Sequence, residues 1–179
     1  MAGGQLFRFY PNATQKAVLV HPSCGDAEMY WEEFAGKIYC NNGAFRAVLQ
    51  GTNVSSWDAK VPLQYKADSR VLGMPDTFSK MCSYASRMYL VSGQYLWESE
   101  PGNPSCYNLG TGYLDFGEPI LDVIAVTEGL YVSTVSYIYF LKGTSSENFI
   151  KIKAYDAPMV AGTCRQIHGD DIGTMADLS

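Results

Sequence analysis

Three copies of one short pattern constrain this chain more than any other feature. Lys37-Ile38-Tyr39-Cys40, Arg87-Met88-Tyr89-Leu90-Val91 and Gly129-Leu130-Tyr131-Val132 each place a tyrosine directly behind an apolar residue. Each run is followed by a break: Asn41-Asn42-Gly43, Ser92-Gly93-Gln94, or the polar stretch from Ser133 to Ser136. A second run then returns: Ala44-Phe45-Arg46-Ala47-Val48, Tyr95-Leu96-Trp97-Glu98, or Tyr137-Ile138-Tyr139-Phe140-Leu141. Two short aromatic and β-branched runs around a turn are the sequence form of a β-hairpin. Aligned on Tyr39, Tyr89 and Tyr131, the copies are 50 and 42 residues apart. A period of roughly 40–50 residues with hairpins inside each unit predicts blades of a β-propeller-like array. The length holds three to four such blades, hence a partial propeller in an all-β class. The structural repeat core is expected at Ile38, Tyr39, Met88, Tyr89, Leu130 and Tyr131.

The rest of the chain fits around these units. Leu6 to Tyr10 and Lys16 to Val20 flank a Pro/Asn turn and predict an outer hairpin without its inner half. Ala27 to Phe34 is the one segment that admits a short helix, although Glu28 to Phe34, with Tyr30 and Trp31, also reads as a strand leading into the first unit. Val61-Pro62-Leu63 and Gly73-Met74-Pro75 are proline-punctuated crossings between units. Ile120 to Val126 is apolar except for Asp122 and predicts a buried inner strand; Asn148 to Tyr155 predicts an outer one. Residues 1–179 form one domain in this reading, with a Gly/Asp-rich tail from about 164. Partial rings expose apolar faces and open strand edges, so the chain is expected to be stable only as part of a larger assembly.

Composition narrows the function classes. Thirteen tyrosines and 17 glycines suit short twisted strands and tight turns. The net charge of -5, with basic residues scattered, argues against direct nucleic-acid binding. No apolar run is long enough for a membrane span, and no secretory signal precedes Leu6. The five cysteines, Cys24, Cys40, Cys82, Cys106 and Cys164, form no C-x-x-C pair and are expected to be reduced and metal-free.

Little in the sequence points to catalysis. Two histidines, His21 and His168, leave little room for histidine catalysis. His168-Gly169-Asp170-Asp171 reads as a solvated turn rather than a cation site. Glu98 and Glu100, two apart on a strand, share the spacing of a glycosidase pair but also suit an ordinary loop edge. No nucleotide-binding or nucleophile-elbow motif occurs. The expectation is a non-enzyme without cofactor.

One resemblance bears on function. Met88-Tyr89-Leu90-Val91-Ser92-Gly93-Gln94-Tyr95-Leu96-Trp97-Glu98-Ser99-Glu100-Pro101, then Tyr107 to Tyr113, then Pro119-Ile120 through Gly143, resembles a succession found in tailed-bacteriophage virion proteins. Phe34 to Gly43 is similar to a further element of that group, and the likeness covers roughly residues 28 to 163. It implies a β-propeller structural protein of the virion, in the tail hub, nozzle or head–tail region, assembled in the host cytoplasm. Its implied partners are other virion proteins and other copies or a second propeller fragment. Members of that group are usually longer, with a full ring of blades. The alternative is a carbohydrate-binding propeller that recognises a host glycan; Trp31, Trp57 and Trp97, which do not align on the repeat, weigh against it.

Overall fold

The structure is a computed structural model that describes residues 4–9, 17–51, 53–65 and 70–160. The expected tail from about 164, Cys164 and the His168–Asp171 turn lie outside these residues. Every regular element described is a β-strand apart from one 3-10 turn, Leu63–Tyr65. The all-β expectation therefore holds, as four antiparallel, open sheets.

A two-stranded ribbon pairs β1 (Leu6–Phe9) with β2 (Ala17–His21). The first four-stranded sheet is a meander of β3 (Tyr30–Phe34), β4 (Lys37–Asn41), β5 (Arg46–Gln50) and β6 (Asn53–Ser56). The middle sheet runs in the order β7 (Leu72–Gly73), β11 (Asn103–Asn108), β10 (Tyr95–Glu100), β9 (Arg87–Ser92), β8 (Met81–Tyr84). A short β12 (Tyr113–Asp115) also pairs with β10. The last sheet is a second meander, β13 (Ile120–Val126), β14 (Gly129–Thr134), β15 (Ile138–Lys142) and β16 (Ile150–Tyr155).

The repeat has a plain topological meaning. β4, β9 and β14, which carry the three aligned tyrosines, each pair with the strand that opens their sheet and with the strand that follows. The hairpins expected from sequence are the next step, β4–β5, β9–β10 and β14–β15. The turns that pair each of these strands with the one before it, β3–β4, β8–β9 and β13–β14, were not evident from the sequence. Ala35-Gly36 and Ala85-Ser86 join β3–β4 and β8–β9 as two-residue loops with positive φ throughout (50°, 71°, 47° and 62°), the conformation that matches strand twist. Ala85-Ser86 has neither Gly nor Asn, the usual signals for such a turn, so composition hid it.

Of the two readings of this segment, a short helix over Ala27 to Phe34 and a strand over Glu28 to Phe34, the structure has the strand, β3 from Tyr30. Tyr30, Glu32 and Phe34 alternate with Trp31 and Glu33, and all five pair with β4. Ile120–Val126 is a strand as expected, but only part of it is covered: Ile120, Asp122 and Val123 are buried, while Leu121, Ile124, Ala125 and Val126 are half-buried.

Two apolar cores hold the three large sheets together. The first lies between the first and middle sheets and contains Phe34, Tyr39, Val48, Trp57, Phe78, Met81, Met88, Leu90 and Tyr107. Trp57 is fully enclosed, edge-on to Tyr39 and Phe78, and its indole N–H donates to the Pro104 carbonyl at 3.2 Å. The second lies between the middle and last sheets: Cys82, Tyr89, Val91, Leu96, Val123, Leu130, Val132 and Leu141. The opening strands of the three sheets lie side by side, β3 against β8 and β8 against β13.

Candidate interaction surfaces

Neighbouring side chains on a strand point to opposite faces, so the apolar–tyrosine pair of each repeat looks two ways. Tyr39 sits in the first core with Met88, and Tyr89 in the second with Leu130. Thus the tyrosine of one sheet faces the next sheet, and the apolar residue before it faces the previous one. Met88, Tyr89 and Leu130 are at most 1% exposed. At the two outer positions no further meander lies among the described residues. Ile38, on the first sheet, is 44% exposed, and Tyr131, on the last, is half-buried. The six residues expected as repeat core thus divide into four buried ones and these two.

The open face beyond Tyr131 is broad. Ile124, Tyr131, Phe140 and Ile152 form one cross-strand row over all four strands of the last sheet. The rings of Tyr131 and Phe140 lie 4.9 Å apart. Ile150 and Tyr155 extend the patch along β16, all six of whose residues are exposed. On the opposite face Lys151 lies over the rings of Phe116 and Tyr139, and Lys153 over Tyr137. The stems and charges of these lysines finish that side of the edge, a usual guard on exposed strands.

At the other end the ribbon covers part of the first sheet. β2 lies against β6, the Arg8 guanidinium donates to the Gly51 carbonyl, and Leu6 and Cys24 are buried with Cys40. Phe7 and Phe9, on the opposite side of β1 from Arg8, are 42% and 65% exposed. Leu19 and Ala17 pair with them across the ribbon and share that side.

The opening strands bound a polar groove of about 570 Å³, lined by Tyr30, Trp31, Glu32, Lys80, Asp122 and Ile124 among others. Its floor is a buried ion pair, Lys80 Nζ to Asp122 Oδ2 at 3.8 Å, with the ammonium also over the Tyr30 ring at 4.3 Å. Glu32 accepts hydrogen bonds from the Ser83 amide at 2.8 Å and hydroxyl at 2.5 Å, which ties the first sheet to the middle one. Burial outweighs these bonds and pushes the Glu32 carboxyl above its usual range. Asp122 had been visible as the one break in an apolar run. Its partner on another sheet had no local signal.

Glu98 and Glu100 do line one small cleft, of about 190 Å³, with Arg70, Arg87 and Ser146. Both are engaged. The Ser146 amide and hydroxyl donate to Glu98 at 2.6 Å each, and Arg87 lies 3.7 Å away. Arg70 pairs with Glu100 at 2.7 Å. The cleft stitches the β15–β16 loop to the middle sheet. Cys24, Cys40, Cys82 and Cys106 are free and buried, and burial raises every one of these thiols, Cys40 to about 12. Among the described residues no group of three or more His, Cys, Asp or Glu could hold a metal ion. No helix among them is long and apolar enough to cross a membrane. The three tryptophans occupy unlike places: Trp31 exposed, Trp57 in the core, and Trp97 half-buried against Tyr95 and Tyr113.

No protein-family model and no curated protein matches this chain.

Proposed function

We propose that this chain is a non-enzymatic structural component of a tailed-phage virion, in the tail hub, nozzle or head–tail region, and that it acts through sheet faces. In this reading the three large sheets are consecutive blades of a partial β-propeller whose opening strands surround the axis. One observation carries it: the same pair of positions docks each sheet on its neighbour, and at the outer sheets those positions are less covered, Ile38 at 44% exposure and Tyr131 half-buried. A surface built for repeated docking and then left partly uncovered suits an assembly protein. The resemblance to virion proteins supplies the biological setting, since the residues that carry it form β9–β10 and β13–β15. The carboxylates that would serve glycan cleavage, Glu98 and Glu100, are held by Ser146, Arg87 and Arg70.

The test is localisation together with ligand screening. Antibody raised against the purified chain should label the tail or neck of purified phage particles from the encoding virus, and a glycan array probed with the chain should be blank. Labelling confined to host material, or a reproducible glycan hit, would replace this reading with the glycan-binding one.

A further inference from the structure

Resting on that reading, we propose that a second copy of this chain docks head to tail, its β1–β2 ribbon seated on the open face of the last sheet. The contact joins Phe7, Phe9 and Leu19 of one copy to Phe140, Ile150 and Ile152 of the other.

The argument is continuity of an existing stack. Ribbon, first sheet, middle sheet and last sheet follow one another, and each of the three junctions is made by one element laid on the face of the next. The two junctions between the large sheets are closed by apolar cores. Among the described residues the stack ends in two unlike apolar surfaces: the outward side of the ribbon, with Phe7, Phe9 and Leu19 at 42%, 65% and 47% exposure, and the outward side of β15–β16, with Ile150 and Ile152 at 63% and 45%. These surfaces hold five of the large exposed hydrophobic side chains. A full meander cannot seat on the outward side of the first sheet, because the ribbon already lies there beside β6. The ribbon's own outward side is therefore the surface at that end free to continue the stack. A two-stranded ribbon matches the width of the outer half of the last sheet, β15 and β16. Unlike surfaces on one chain make a heterologous contact, which either closes into a ring or continues as a filament. Two copies bring six large sheets and two ribbons, within the range of about four to eight units in which propeller-type rings close.

The experiment uses the whole chain and four proteins: wild type, Phe9→Asp, Ile152→Asp, and Leu63→Asp as a control at an exposed apolar residue of the 3-10 turn, outside the ribbon and the last sheet. In sedimentation at micromolar concentration the wild type and Leu63→Asp should be oligomeric, and Phe9→Asp and Ile152→Asp should each be monomeric. Mixing the last two should restore a dimer, because each retains the surface the other lacks. A monomeric wild type, association that survives both substitutions, or a mixture that stays monomeric overturns the proposal. Urea unfolding of each variant checks the fold, with Phe7→Ser and Ile150→Ser as replacements should either fail. A monomeric wild type with phage labelling retained would remove this contact alone; absence of labelling would remove the reading beneath it.

Discussion

Residue identity matters most here where a polar atom is buried without relief. The Tyr107 hydroxyl is enclosed in the first core and finds no hydrogen-bond partner among the described residues. A buried donor left unsatisfied costs more than its absence, so Tyr107→Phe should raise unfolding stability by about 1 kcal/mol in urea titrations. Glu32 gives a pH signature. Its carboxyl titrates above the usual value because burial disfavours the charge. The folded state therefore holds that proton more tightly than the unfolded chain does. The resulting stability is full below the ordinary carboxylate range and is lost as pH rises through the raised value. Glu32→Gln keeps an acceptor for Ser83 without the titration. Its advantage over wild type in urea unfolding should widen from pH 4 to pH 7, and an advantage constant with pH would refute the assignment. Neither site could be read from the chain, because each depends on what a distant strand places around it.

Strands and turns show where local chemistry was decisive. The hairpins around Asn41–Gly43 and Ser92–Gln94 were legible because Gly and Asn announce them, and alternation then set the register. The Ala85-Ser86 turn was not, since both residues take positive φ, which L side chains resist. Relieving one of them with Ser86→Gly should stabilise the protein by about 1 kcal/mol, read as a higher urea midpoint with unchanged slope. Gly129 is constrained in the opposite sense. A Cβ there would lie 2.0 Å from the Leu141 carbonyl oxygen, inside the β14–β15 pairing. Gly129→Ala should therefore force the strands apart and cost about 1–3 kcal/mol, measured by thermal or urea unfolding.

Taken whole, the molecule is a row of sheets whose stability comes from the layers between them. Trp57 illustrates this: it follows β6, yet it fills the space between the first and middle sheets and bonds to Pro104 on β11. Trp57→Ala should cost about 3–5 kcal/mol through the cavity left behind, and should lower the melting midpoint without changing the fluorescence environment of Trp31.

The sequence by itself determined the strand class, the three repeat units and the order in which the chain visits them. Those follow from local physics: alternation along a strand, β-branched and aromatic preference, and turn residues that punctuate each run. It also marked six equivalent positions, of which four, Tyr39, Met88, Tyr89 and Leu130, lie where sheets meet. Only the tertiary structure decided which of those six are covered. Ile38 and Met88 occupy the same place in their repeats, and the residue type alone predicts burial for both. Met88 has a sheet on each side of its strand and is enclosed; Ile38 has only the ribbon, which lies over the outer strands and leaves it 44% exposed. Burial is a property of neighbours brought in by the fold, and the pairing of Lys80 with Asp122 and of Glu32 with Ser83 was hidden for the same reason.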